Sequence, residues 1–262
     1  MNRIRQVLSE RRPSFGAWSV LPGSLTAEIM GGAGFDWVIV DAQHGGLVVG
    51  DLVPMIQALQ LGGTPAVVRV PWADQPTIMR VLDFGAAGVI VPMINTAADA
   101  AAAAAAMRYP PEGIRSYGQT RNGYASPAEA NADVVLLVMI ETAEALMNVD
   151  EIAATPGVDG LFIGPVDLGL SLGLPLDFTG TAAGILEATD TIVAAGGRAG
   201  RFVGGVCSAP QHAEELVRHG LAFVALGADV GYLKVGIANE RSNLERLRAL
   251  PASDRWPVGH EG

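Results

Sequence analysis

The sequence predicts an α/β fold, a (β/α)8 barrel of the TIM type, on three observations. Short apolar runs alternate with helix-like segments eight times along 262 residues. Those runs are continuous rather than alternating, as in parallel strands covered on both faces. Half of the chain is hydrophobic, enough to fill the core of one large domain spanning residues 1–262.

Each unit can be placed in order. A strand is expected at residues 15–20 and a helix over 24–30. Strand two is 37–40, before a helix over 51–61. Strand three, 66–70, precedes a helix over 75–83; strand four, 88–93, precedes 96–107, whose alanine run is a strong helix former. Strand five is 134–140 with a helix over 142–153, and strand six is 160–163 with a helix over 182–195. Strand seven, 201–206, leads into 210–219, and strand eight, 222–226, into 230–248. An insertion at 109–131, "YPPEGIRSYGQTRNGYASPAEAN", reads as an ordered loop, and 251–262 as a polar tail with Trp256. The alternative, a doubly wound open sheet, calls for a glycine-rich phosphate turn after strand one; "SVLPGSLTAE" is not one.

Composition narrows the partners. A formal charge of −10 repels nucleic-acid phosphates and anionic lipid. The one cysteine, Cys207, excludes a disulfide framework and points to a reducing, cytoplasmic compartment. The arginine-bearing start lacks the apolar segment of a secretory signal, and no apolar run has the length of a bilayer span.

Barrel chemistry sits where strands end, and the polar residues of this chain gather there. Asp41 closes strand two, with His44 beyond it in "VDAQHGG". Arg69 lies in "VVRVPW", Asn95 after "VPMI", Glu141 in "VMIET" and Asp167 in "FIGPVDLGLSLG". Cys207 and Ser208 end strand seven, and Asp229 ends strand eight. Glu141 and Asp167 come from consecutive strands, so both carboxylates can reach one cation, and oxygen donors suit Mg2+ or Mn2+. The competing reading is that each caps the helix that follows it. His44 beside Asp41 fits a general base oriented by a carboxylate, with a plain turn as the alternative. A guanidinium between Val68 and Val70 must face a polar interior or an anion. Trp18, at the end of strand one, is read as substrate-facing or as core filling. Gly45 and Gly46 are read as clearance for a substrate. Arg115 and Tyr117 of the insertion are expected to reach over the rim or a subunit boundary. Cys207 is read as inert, and His212, His219 and His260 as surface residues.

The set "VDAQHG", "VVRVPW", "VPMINTAADA", "RYPPEGIRSYG", "MIETAEAL" and "VDGLFIGPVDLGLSLG" closely resembles the HpcH/HpaI aldolase family of metal-dependent, class II pyruvate aldolases. The resemblance runs over about residues 15–248. It implies reversible cleavage of a 4-hydroxy-2-oxo acid to pyruvate and an aldehyde, in a homo-oligomer, usually a hexamer with helices exchanged between barrels. It also implies a divalent metal on Glu141 and Asp167: Mg2+ or Mn2+, with Co2+ or Zn2+ as further options. His44 and Asp41 then match the family's base and its partner, and Arg69 its enolate-stabilising arginine. Backbone N–H groups around Gly164, Pro165, Val166 and Asp167 would hold the pyruvate carboxylate. Met139 stands where many members have glutamine, and Gln43 where some have glutamate. The other readings are a citrate-lyase-like acyl-CoA lyase of the same superfamily, which calls for a basic groove, and a non-catalytic barrel that binds keto acids. The chain's only lysine, Lys234, falls on the last helix rather than a strand end, against a Schiff-base mechanism.

Overall fold

The computed structural model describes residues 3–10, 12–118, 121 and 123–251. The expected tail, with Trp256 and His260, lies outside them except for Pro251, as do residues 119, 120 and 122 of the insertion. Eight strands close into a parallel barrel in sequence order. They are β1 (Ser14–Ser19), β2 (Trp37–Asp41), β3 (Ala66–Arg69), β4 (Gly88–Val91), β5 (Val135–Ile140), β6 (Gly160–Ile163), β7 (Phe202–Cys207) and β8 (Phe223–Ala228). The helices are α1 (Arg3–Ser9), α2 (Ser24–Gly31), α3 (Val49–Leu61), α4 (Gln75–Asp83), α5 (Ala97–Met107), α6 (Pro127–Asp133), α7 (Ala143–Met147), α8 (Val149–Ala154), α9 (Pro165–Ser171), α10 (Ala183–Ala199), α11 (Pro210–Arg218) and α12 (Asp229–Arg248). The barrel unit spans Met1–Asp229. Val230–Gly262 forms a second compact unit, whose described part carries most of α12, with Tyr232, Leu233, Val235 and Ile237 exposed.

Two apolar layers follow from the strand pleat. Val38 and Val40 on β2, and Leu136, Val138 and Ile140 on β5, join the layer under the helices. Trp37, Ile39, Val67, Ile90, Val135, Leu137, Met139, Phe162 and Phe223 fill the barrel itself. Trp37 and Phe223 stack at 3.6 Å. Their contact spans β1 because Gly16 has no side chain; a Cβ there would lie 2.2 Å from the Trp37 ring.

Three differences from the sequence reading have local causes. The helix expected over 142–153 breaks at Asn148 into α7 and α8, and the Asn148 amide donates to the Asn95 carbonyl at 2.8 Å. The insertion contains α6, which Ser126 caps by accepting from the Glu129 N–H. Its ends are tied by the Asn131 amide, which accepts from the Tyr109 N–H at 2.7 Å and donates to the Tyr109 carbonyl at 2.9 Å. Finally, the start of the chain is a helix. Ile4 of α1 is fully buried among the barrel-filling residues, and Arg5 pairs with Asp159, just before β6, at 3.0 Å. This helix plugs the N-terminal end of the barrel.

Replacing Ile4 by alanine is therefore expected to cost about 2–5 kcal/mol in urea unfolding. A loss under about 1 kcal/mol would show that α1 is not a plug.

Candidate active site

The same pleat decides which side chains reach the barrel mouth. Along β2 the inward residues are Trp37 and Ile39, so the next is Asp41. Along β3 Val67 is followed by Arg69, and along β5 the series Val135, Leu137, Met139 ends at Glu141. On these three strands polar residues thus replace apolar ones where the interior opens at the C-terminal ends.

Asp41 and Arg69 are register partners on neighbouring strands. The guanidinium donates from Nε to Asp41 Oδ1 at 2.9 Å and from Nη2 to Oδ2 at 2.5 Å. Beneath them the Trp18 indole donates to Asp41 Oδ2 at 3.1 Å, and the Arg69 guanidinium lies 4.7 Å from the centre of the Trp18 ring. Both charged groups are buried. Burial pushes the Asp41 carboxyl up; the hydrogen bonds and charge of Arg69, the Trp18 indole and the His44 N–H outweigh it and hold it below the ordinary Asp value.

The loop after β2 departs from expectation. Asp41 Oδ1 accepts from the backbone N–H groups of Gln43 at 3.0 Å and His44 at 3.2 Å. Asp41 therefore sets the His44 main chain rather than holding its imidazole, and the His44 side chain is exposed. The Gly45 N–H donates to the Asp41 carbonyl at 3.2 Å, and a Cβ at Gly45 would lie 2.2 Å from that oxygen. Gly45 is thus required by the turn itself and is not clearance for a substrate. Gly46 closes the same loop onto the Val20 carbonyl.

Glu141 is the second buried centre, 2% exposed. Its Oε1 accepts from the Met93 N–H at 2.6 Å. Met93, at the end of β4, has φ 57°, a left-handed conformation worth about 1–3 kcal/mol of strain in a residue other than glycine. On the other side Gly164 leaves the room that Glu141 occupies: a Cβ there would lie 2.7 Å from Oε2. Burial pushes the Glu141 carboxyl above its ordinary value, the Met93 N–H opposes this, the charge of Asp167 adds to it, and Arg69 opposes it. Asp167 is exposed in the first turn of α9. Among the described residues no ion pair joins Glu141 to an Arg, Lys or His, and no group of three or more His, Cys, Asp or Glu side chains is gathered as a metal site. Two carboxylates from consecutive strand ends, one of them buried, are the oxygen donors that a hard divalent cation takes.

Anion binding by the β6–α9 turn is narrower than expected. The Gly164 N–H is used by the Ile140 carbonyl, and Pro165 has none. The N–H groups of Val166 and Asp167 remain, because the first turn of a helix has no internal acceptors for them.

A profile described as "HpcH/HpaI aldolase/citrate lyase" matches residues 14–234. The chain belongs to the HpcH/HpaI aldolase/citrate lyase family. It is 40% identical to a hydroxypyruvate/pyruvate aldolase of Rhizorhabdus wittichii, over 95% of this chain and all of that one. A 5-keto-4-deoxy-D-glucarate aldolase of Salmonella arizonae is 35% identical, over 90% of this chain and 93% of its own. The crystal structure of an HpcH/HpaI aldolase/citrate lyase family protein from Burkholderia cenocepacia superposes with a TM-score of 0.85 at 32% identity, covering 95% of this chain and 100% of that one. The expectation of a carbon–carbon lyase on a (β/α)8 barrel is borne out.

Within this HpcH/HpaI barrel the other rim residues have structural partners. Asp229 opens α12 instead of ending β8, and accepts from the Ser19 hydroxyl at 3.0 Å and the Val20 and Leu21 N–H groups at 3.1 Å. Asn95 accepts from the Thr142 hydroxyl. Cys207 is buried with its thiol on the Ala225 carbonyl, and burial pushes that thiol up, in keeping with an inert residue. Arg115 does not reach over the rim: it is buried on Asp83 at 2.6 Å and on the Tyr109 ring at 4.5 Å, while Tyr117 is exposed. His212 meets Ser208 and His219 meets Asp190 on the outer helices. Met93 is the site residue the sequence reading missed, since nothing in "VPMIN" marks a positive φ.

The depressed Asp41 value sets the sign of a pH effect. Its contribution is present above the unfolded value of about 3.9 and is lost as pH falls through the folded value. Asp41→Asn, which leaves Arg69 buried without its counter-charge, is expected to cost about 3–5 kcal/mol near neutral pH. The gap to wild type should shrink on acidification below about pH 4 in urea melts. A gap that stays constant with pH would contradict this role.

Proposed function

We propose that this enzyme cleaves a 4-hydroxy-2-oxo acid reversibly to pyruvate and an aldehyde, with a divalent cation, Mg2+ or Mn2+, held by Glu141 and Asp167. The observation that carries this reading is Glu141, a buried carboxylate at the end of β5 that feels the charge of Asp167 after β6, with Arg69 on the inward series of β3, two strands away. When bound, the cation supplies Lewis-acid stabilisation of the charge that cleavage develops. Co2+ and Zn2+ suit two oxygen donors less well.

The chain's own residues supply the remaining functions. Val166 and Asp167 offer backbone N–H groups to the substrate carboxylate at the start of α9. Arg69 keeps a fixed positive charge beside the 2-oxo oxygen, because Asp41 locks its guanidinium and Trp18 supports it from below. His44, on a loop whose main chain Asp41 holds, takes the proton of the C4 hydroxyl. The C3–C4 bond then breaks, its electron pair passes to the pyruvate enolate, and the C4 carbonyl leaves as the aldehyde. Return of the proton held by His44 to C3 completes pyruvate and frees the imidazole. The reaction needs no lysine, and Lys234 is exposed on α12.

We further propose a homo-oligomer, a hexamer, in the cytoplasm, acting on small molecules rather than on nucleic acid or a membrane. The exposed apolar residues of α12 and an apolar groove lined by Phe15, Ala213, Val217 and Leu226 support self-association. Among the described residues no helix is long and apolar enough to cross a membrane. The single buried thiol suits a reducing compartment, which cell fractionation tests.

Stripping the protein with EDTA should abolish pyruvate release from a 4-hydroxy-2-oxo acid, and Mg2+ or Mn2+ should restore it. Full activity in the stripped protein would end the metal reading. His44→Ala should lose about 10²–10⁴ in kcat with unchanged unfolding; a loss confined to stability returns His44 to the turn. Light scattering should give six chains per particle, and a monomer would remove the assembly proposal.

A further inference from the structure

We propose that Met93 is a positioning residue that aims Glu141, acting through its backbone N–H and not its side chain. The inference rests on the reading of Glu141 as a cation ligand and goes beyond it. Three observations meet at this point. Met93 is the only non-glycine residue with positive φ among the described residues. Its N–H makes a 2.6 Å bond to Glu141 Oε1, across the rim from β4 to β5. Directly before it stands Pro92, which has no N–H, and directly after it Ile94 returns to full burial in the core.

These facts explain one another. A chain leaving β4 in ordinary extended form would carry on toward α5. The left-handed turn at Met93 instead lets Ile94 fold back into the core while the Pro92–Met93 peptide keeps its N–H on the mouth of the barrel. The bond then holds Oε1, and the space left by Gly164 is where Oε2 lies. One oxygen is thereby held by the protein and the other, on the β6 side with Asp167, is left for a cation. A buried carboxylate without such a donor would be free to rotate and would compete for a proton. An unfavourable backbone conformation kept beside a chemical centre is where strain is expected to serve function.

The test is Mn2+ affinity of the metal-free, full-length protein by titration calorimetry, with thermal unfolding of the same samples. Met93→Gly keeps the N–H and accepts positive φ, so it should bind Mn2+ within about twofold of wild type. Met93→Val, branched at Cβ and disfavoured at positive φ, should bind about tenfold or more weakly. Should that variant fail to fold, an ester in place of the Met93 amide, introduced with the α-hydroxy analogue of methionine, removes only the donor. It should also weaken binding about tenfold, as expected for one hydrogen bond to a charged group. Ester and amide proteins of equal affinity, or tighter binding by the ester, would overturn the proposal, as would a Met93→Gly protein as weak as Met93→Val. Glu141→Gln separates the two levels. If it binds Mn2+ like wild type, the ligand reading falls and the proposal with it; if it loses binding while the ester retains it, only the role of Met93 falls.

Discussion

The barrel mouth is organised around one buried ion pair, Asp41 with Arg69. The two residues end adjacent strands in register, so the pairing of β2 with β3 brings them side by side. Neither charge is tolerable alone at that depth. Asp41 answers the guanidinium with both oxygens and still accepts from the Trp18 indole and two backbone N–H groups of the following loop. One carboxylate therefore ties together β1, β2, β3 and the turn that carries His44. Arg69 in turn keeps a rigid positive charge at the mouth, since moving it would strand its partner.

Across the mouth, Glu141 is buried with a different kind of support. No cationic side chain pairs with it among the described residues. A backbone N–H from the neighbouring strand end holds one of its oxygens, and the absence of a side chain at Gly164 makes room for the other. The site thus has one half whose charge is balanced by the protein and one half whose charge is not.

Much of the architecture could be read from the sequence. Continuous apolar runs separated by helical segments mark all eight strands to within a few residues, because strands covered on both faces must be apolar throughout. α4 and β6 match the expected 75–83 and 160–163 without change. The polar residues of the barrel mouth were also legible, since charges are so scarce on the strands that those at strand ends stand out. Less visible was α1, where burial of Ile4 leaves no periodic signal in a short arginine-rich stretch. The break at Asn148 was hidden too, because its cause is a carbonyl more than fifty residues away in sequence.

By itself the sequence determined the barrel, the side on which chemistry collects and the residue types present there, because strand period and the cost of burying charge are local rules. Only the tertiary structure decided how those residues divide their work. It assigned Asp41 to Arg69 and to the His44 backbone rather than to the imidazole, and Gly45 to the turn rather than to a substrate. It withdrew Arg115 into a buried pair with Asp83, and it turned an unremarkable methionine into the donor that meets Glu141. Each of these depends on which atoms of distant segments lie within hydrogen-bond reach, and that is set only when the barrel closes.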